Sequence, residues 1–255
     1  MNRRTFLTVS VGTIISVVST GGVLYYLLEE SQNRIPSELL PEQPSVPSEA
    51  IPFPNPLPTE RPFLPNEMPN GSNNLPPNQM EVERLHVLHV GLVPNFDEET
   101  WTFRVSGLVN NPLSLNYQQF RDLPKKVSTS DFHCVTGWSK LGNKWEGVQF
   151  KTLIETTNVQ KDAKFATIEC ESGYATSLPI EQLSREDVLL AYRLDDNELP
   201  LIHGGPLRLV VPQKYAYKSA KWVRHIKFTA SQELGYWESR GYSNNADPFT
   251  EDRTS

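Results

Sequence analysis

Asp131-Phe132-His133-Cys134-Val135-Thr136-Gly137-Trp138 sets one of only two cysteines of this chain in an aromatic, glycine-containing segment. No second cysteine lies nearby, which excludes a zinc knuckle or a local disulfide staple. A lone thiol in such a place is buried filler, a nucleophile, or a ligand to a metal that arrives inside a cofactor. Free cysteine is among the most buried residue types, so filler is the default. The other cysteine is Cys170. One disulfide between the two stays open, since the compartment inferred below permits it.

The chain has 255 residues, 38% of them apolar, and a net charge of -6. Its 24 basic residues are dispersed and outnumbered by 30 acidic ones, so nothing points to nucleic acid. Arg3-Arg4-Thr5-Phe6-Leu7 has the twin-arginine arrangement of a Tat signal. The uncharged stretch from Thr5 to Leu28 is long enough to cross a bilayer as a transmembrane helix, for which about 20 apolar residues suffice. Arginines before it and Glu29-Glu30 after it put the N-terminus in the cytoplasm and the rest of the chain in the periplasm or an equivalent lumen. An ordinary Sec-type anchor is the alternative. The two differ in mechanism, because the twin-arginine route exports proteins already folded.

Residues 1–30 are thus read as a signal or anchor helix and 31–79 as a linker. The segment from Pro36 to Pro77 holds 13 of the 21 prolines and favours extended polyproline II. It serves as a spacer from the membrane, or as an arm laid over the domain through Phe53, Phe63 and Leu64. Residues 80–255 are long enough for one domain with one core. Their pattern is strand-rich. Trp101–Gly107 and Trp222–Phe228 alternate with period two, and Phe165–Cys170 and Leu207–Val211 also read as strands. Short helices are predicted at Asn116–Leu123, Lys151–Thr157 and Ile180–Arg185, and a surface strap from Ser239 to Ser255.

Two further segments carry candidate chemistry. One is Ser172-Gly173-Tyr174-Ala175-Thr176-Ser177-Leu178-Pro179. The other runs from His203-Gly204-Gly205-Pro206-Leu207-Arg208 to Tyr217-Lys218-Ser219-Ala220-Lys221-Trp222. Those two stretches group a histidine, an arginine and two lysines around glycines and a serine. An anionic phosphate needs that set: arginine for a bidentate grip, lysine as a point charge, turn amides as donors. The spacing matches neither a Walker loop nor G-x-G-x-x-G.

Together these motifs resemble the molybdopterin-dependent sulfite-oxidase superfamily. They are most similar to its short bacterial members, related to the periplasmic methionine-sulfoxide reductase catalytic subunit. The resemblance runs from about Glu83 to Pro248 and rests on the joint order of Phe-His-Cys-Val-Thr-Gly-Trp, Gly-Tyr-x-Thr-Ser-Leu-Pro, His-Gly-Gly-Pro-Leu-Arg and Lys-Ser-x-Lys-Trp. It implies an α+β fold of mixed β-sheets with short helices in a single domain, and a Mo-molybdopterin cofactor. It further implies that Cys134 is the protein's one ligand to molybdenum, a soft thiolate suited to such a centre. By the same resemblance His203 and Arg208 hold the pterin and its phosphate, and Ser219, Ala220 and Lys221 close over the phosphate. Cys170 becomes a neighbour of the cofactor, Tyr174 an active-site phenol, and His89 a pterin contact from an early loop. The implied activity is two-electron oxygen-atom transfer on a small molecule.

The departures matter too. Sulfite oxidases carry arginines just after the ligand cysteine, whereas Val135-Thr136-Gly137-Trp138-Ser139 has no cation before Lys140, which argues against sulfite. No segment corresponds to the immunoglobulin-like or haem domains of longer relatives. No Cys-x-x-Cys-His is present, so electrons must pass to or from a separate partner, a haem protein or quinone-linked membrane subunit.

Bland readings stand beside these. Cys170 is explained by ordinary core packing, Tyr174 by capping of a turn, and Trp138 and Trp145 by core packing. His133 faces away from its neighbour Cys134 if the strand is extended. His86 and His225 carry no functional claim. Within the class, a methionine-sulfoxide-reductase-like repair enzyme is the alternative. From other classes come a cofactor-free envelope binding module and a Cys-His hydrolase built on Cys134 and His203.

Overall fold

The computed structural model describes residues 75–255. The segment 1–30, its transmembrane stretch and the proline-rich residues 31–74 lie outside the described residues. In chain order the strands and helices are β1 (Met80–Glu81), β2 (Thr102–Gly107), β3 (Leu113–Asn116), α1 (Tyr117–Arg121), β4 (Lys125–Cys134), β5 (Trp138–Gln149), α2 (Phe150–Thr156), β6 (Phe165–Cys170), β7 (Ala175–Pro179), α3 (Ile180–Leu183), β8 (Leu189–Leu194), β9 (Asn197–Glu198), β10 (Arg208–Val210) and β11 (Val223–Thr229). Single 3-10 turns occur at Leu201–His203, Ala216–Lys218 and Glu238–Arg240. Among the described residues, no helix is long and apolar enough to cross a membrane.

The strands form two sheets. One has six strands, with β1-β5-β8-β10 in order, β4 on β5 and β9 on β8; the other has five, in the order β3-β2-β11-β6-β7. Both are mixed: β1 runs parallel to β5 and β2 parallel to β11, while the other pairs are antiparallel. This is the predicted α+β class, a single domain of mixed sheets with short helices.

Period-two patterning decides which face each strand buries. In β2, Phe103 and Val105 point inward while Thr102 and Arg104 are exposed. They meet Ile168 and Phe228 from their own sheet and Val148, Leu190 and Leu209 from the other, so one core lies between the sheets. The six-stranded sheet is buried on its far side as well. Leu189, Ala191 and Val210 alternate with Leu190 and Leu209, and pack there with Phe132, Cys134, Trp138 and Trp145. That second cluster is where the thiol sits. The short helices are set by local chemistry: Asn116 and Gln119 form a reciprocal capping box at α1, and Phe150 and Leu153 fasten α2 one turn apart.

The long β4–β5 hairpin, not predicted from pattern, is the main addition. β4 is polar through most of its length and β5 is interrupted by Gly142 and Gly147, so neither shows a clean period. The chain is also packed before residue 80. Gln79 is buried, donating to the carbonyl of Cys134 at 3.1 Å, and Asn78 donates to Glu251 at 2.7 Å.

Candidate cofactor site

Cys134 ends β4 at the head of a tight turn. The Gly137 amide donates back to the Cys134 carbonyl at 3.0 Å, and Gly137 itself has φ +97°, which only glycine adopts without strain. With the Gln79 amide, the cysteine's backbone is held from two sides. Its Sγ accepts a hydrogen bond from the Thr136 hydroxyl at 3.1 Å. The side chain is 5% exposed. Burial pushes the thiol pKa up, against the hydrogen bonds from Thr136 and the positive charges of Arg253 and Lys221. His133, one residue back, points the other way, its Nδ1 2.8 Å from the Ser139 hydroxyl and its ring edge-on to Phe249.

Arg208 reaches the same face because β10 alternates. Leu207 and Leu209 enter the main core, while the guanidinium lies over Phe132 at 4.9 Å and Trp145 at 5.5 Å, in the cluster around Cys134. It donates to the carbonyls of His203 at 2.6 Å and Ser219 at 3.0 Å; its Nε is buried with no partner. Burial pulls its pKa down to about 10, so it stays charged at neutral pH. Lys221 is drawn down to about 7 by burial and by the charge of Arg208, against the pull of Cys134, and its Nζ donates to the Ile202 carbonyl at 2.8 Å. His203 is lowered by burial and then by Lys221 and Arg208. These three groups therefore converge, and among the described residues no carboxylate pairs with Arg208 or Lys221.

Gly204 makes the convergence possible. It has φ +108°, and a Cβ there would stand 2.9 Å from Lys221 Cγ and 3.1 Å from Arg208 Cβ. Ser219 and Ala220 act as frame: Ser219 Oγ accepts from the Val211 amide at 3.0 Å, its carbonyl holds Arg208, and the Ala220 carbonyl accepts from Leu209 at 2.8 Å. His89 is exposed at the rim, its ring edge-on to Trp222 at 5.5 Å.

Cys170 and Tyr174 belong to the core between the sheets. Cys170 is a free thiol in the core between the sheets, a different cluster from that of Cys134, and the two are not bridged. Its pKa is pushed far up, first by burial and then by Glu169. The Tyr174 hydroxyl donates to the Tyr217 carbonyl, and burial, then Glu238, raises its pKa.

Two residues that sequence reasoning passed over come to Cys134 instead. Tyr242 and Thr254 form an antiparallel bridge, and the Ser243 amide donates to the Arg253 carbonyl at 3.1 Å, so the C-terminal strap is doubled back on itself. Its inner end places Arg253 against the Val135 carbonyl, next to Cys134. Tyr242 packs on Trp237 at 4.8 Å and Tyr217 at 5.4 Å. Its phenol pKa is raised by burial and then by the charge of Cys134, and its hydroxyl makes no hydrogen bond among the described residues. Tyr242 had a signal in the aromatic run with Tyr236 and Trp237; Arg253 had none.

A cleft of about 830 Å³ lies apart from this, lined by Tyr117, Arg121, Tyr192 and Glu198. Arg121 grips Glu198 there at 2.8 and 3.1 Å, and Arg193 and Glu146 also line it.

The chemistry of the donor set decides what the Cys134 site fits. Among the described residues no group of three or more His, Cys, Asp or Glu side chains gathers around a metal position. A metal on Cys134 must therefore bring its other ligands with it. A buried Arg208 with an orphaned Nε beside a half-buried Lys221, neither with a carboxylate partner among the described residues, is costly unless an anion joins them. A metal carried on an anionic organic ligand satisfies both conditions.

Comparisons with known proteins agree. The family described as oxidoreductase molybdopterin binding domain matches residues 89–237. An uncharacterized oxidoreductase of Bacillus subtilis (strain 168), YuiH, is 40% identical over 183 residues, 71% of this chain and 92% of its own. The protein-methionine-sulfoxide reductase catalytic subunit MsrP of Campylobacter jejuni is 31% identical over 167 residues, 59% of this chain but 56% of that protein. Among solved structures, the sulfane dehydrogenase SoxCD of Paracoccus pantotrophus shares the fold with a TM-score of 0.50 and 23% identity, over 55% of this chain and 40% of that one. This chain thus spans nearly all of the Bacillus relative, but little more than half of the reductase.

Proposed function

The chain belongs to the oxidoreductase molybdopterin-binding domain family and is a molybdenum-dependent oxidoreductase, and from that premise we propose that Cys134 ligates the metal and that the reaction is oxygen-atom transfer on a small substrate. Molybdopterin-borne molybdenum, when bound, supplies the two-electron couple and the capacity to give or take an oxygen atom. The rest is done by this chain's residues. Cys134 binds, and Thr136 orients its sulfur. A thiol pushed up by burial becomes a thiolate when a metal coordinates it. Arg208, Lys221 and His203 grip the anionic part of the cofactor, with Ser219 and Ala220 holding them in register and His89 at the rim. Tyr242 presents a free phenol toward the thiolate side, where it can donate to substrate.

The observation that carries this reading is a buried, lone thiol near a buried arginine and a half-buried lysine that lack carboxylate partners among the described residues. Molybdenum analysis of protein matured in a host that makes the cofactor tests it. About one molybdenum per chain is expected, with Cys134→Ser folded but inactive. Full molybdenum content and turnover in Cys134→Ser would overturn the ligand assignment.

The similarity to a methionine-sulfoxide reductase subunit favours a second reading, reduction of sulfoxides with electrons from a haem or quinone-linked membrane partner. Turnover of sulfoxides with a reduced dye, against turnover of sulfite with an oxidised acceptor, separates the two directions. We place the domain outside the cytoplasm, tethered by residues 5–28, on the twin-arginine and apolar sequence at the N-terminus. Protease accessibility in spheroplasts, with the outer envelope removed and the inner membrane intact, checks this: a domain still protected there refutes it.

A further inference from the structure

The cation missing from the residues after Cys134 is supplied from the other end of the chain. Arg253 lies beyond residues 89–237, the part matched by the family, so its role does not come with membership. The Tyr242–Thr254 bridge and the Ser243–Arg253 hydrogen bond fold the strap into a small hairpin, and Ala246 seals it by accepting from the Tyr215 amide at 2.8 Å. That hairpin brings the Arg253 guanidinium to the turn after Cys134 and the Tyr242 phenol within electrostatic reach of the thiol.

The Arg253 side chain is placed and still has capacity. Nη1 donates to the Val135 carbonyl, and the guanidinium lies over the Tyr215 ring at 5.4 Å. Nη2 is 3.5 Å from Glu251, a loose contact, and Nε makes no hydrogen bond among the described residues. The side chain is 26% exposed, so it faces a solvent-reachable space rather than the core. Of the charges acting on Cys134, Arg253 is the largest, ahead of Lys221. The two arrive from different elements. Lys221 belongs with Arg208 and His203, the cofactor cations; Arg253 belongs with Tyr242 on the strap.

We propose that Arg253 is a specificity-determining residue that makes this site select a small oxoanion over a neutral sulfoxide. The inference rests on the molybdenum reading above. A planar guanidinium with free N–H groups matches a tetrahedral or pyramidal oxoanion, which a neutral substrate does not need. The absence of arginines next to Cys134 in sequence therefore does not argue against an anionic substrate.

The test uses molybdenum-loaded enzyme, with sulfite and an oxidised acceptor as the anionic assay and methionine sulfoxide and a reduced dye as the neutral one. Sulfate binding by calorimetry gives a readout apart from turnover. Arg253→Gln is expected to raise the KM for sulfite and the Kd for sulfate by about tenfold or more, the loss of one charge-assisted contact. The KM for methionine sulfoxide should move less than about twofold, and Arg253→Lys should recover part of the loss. Glu251→Gln removes the opposing charge and should tighten sulfate. A strap that only clamps the Val135 turn would instead lower turnover of both substrates together, and that result overturns the proposal. So does a wild type that carries molybdenum and reduces sulfoxide but binds no anion more tightly than Arg253→Gln. A matured protein without molybdenum removes the parent reading, and this proposal with it.

Discussion

Lys218 Nζ lies 2.5 Å from Glu238 Oε1, and neither side chain has any exposed surface. Thr176 donates to the same oxygen at 2.5 Å, and the lysine also donates to the Ser177 carbonyl at 3.2 Å. Three parts of the chain meet there. Strand β7 contributes Thr176, the turn before Ser219 contributes Lys218, and the turn before Tyr242 contributes Glu238. The pair thus fixes the segment that carries Ser219 and Lys221 to the strap that carries Tyr242.

Breaking that pair from one side should be costly. Lys218→Met leaves Glu238 buried without its cation, and such losses run to about 3–5 kcal/mol. Chemical denaturation is expected to show a lower midpoint with an unchanged slope. Replacing both partners, as in Lys218→Met with Glu238→Leu, should recover much of the loss, because an apolar pair needs no compensation. A double variant as unstable as the single would show that the ion pair is not the cause.

The cofactor cations predict a pH-dependent response to anions in the metal-free protein. Lys221 sits at about 7 in the fold, against about 10.4 in an unfolded chain. Between those values the unfolded chain holds the proton and the fold does not. Stability from this group therefore rises with pH across that window, and is lost as the pH falls toward 7. Below it the fold carries a charged Lys221 near Arg208, and sulfate relieves the repulsion. Sulfate should raise the Tm of metal-free protein more at pH 6 than at pH 8.5. In Lys221→Met the difference between the two pH values should largely vanish; a difference of the same size would assign the effect to another group.

The segments proposed to form this site are written locally, and that is why they could be singled out in the sequence. Cys134, Arg208 and Lys221 each sit in a short segment whose glycines, aromatics and basic residues have to be neighbours to work, and β10 shows its alternation within five residues. What failed to show was long-range. Arg253 reaches Cys134 only because a polar tail with no period folds into a hairpin and docks under Tyr215. The Tyr174 hydroxyl is taken up by a carbonyl 43 residues away. No pattern around either tyrosine distinguishes the engaged phenol from the free one. The β4–β5 hairpin escaped for a related reason: its inward residues, Phe132, Cys134 and Trp145, face a small site cluster and not a continuous core.

Gly204 should tolerate no side chain. Gly204→Ala places a methyl 2.9 Å from Lys221 Cγ on a backbone at φ +108°. Alanine at a positive φ is destabilising in its own right. The displacement of Lys221 should appear as lost molybdenum per chain, beyond the fall in Tm. Full cofactor retention in a Gly204→Ala protein would mean that Lys221 does not grip the cofactor from this position.

The two tyrosines give opposite expectations. Tyr174 donates to the Tyr217 carbonyl, and burial, then Glu238, holds its pKa well up, so its hydroxyl is structural. Removing it in Tyr174→Phe leaves a buried acceptor unpaired, at a cost of about 1–3 kcal/mol, with kcat nearly unchanged. Tyr242 is half-buried, feels the charge of Cys134, and has a hydroxyl with no protein partner among the described residues. Tyr242→Phe should leave the Tm within a degree or so, because no protein hydrogen bond is lost, but lower kcat by roughly tenfold to a hundredfold, the range of one positioned donor. The two single variants, measured for Tm and kcat side by side, decide it. A loss of kcat confined to Tyr174→Phe would return the role of active-site phenol to the β6–β7 turn.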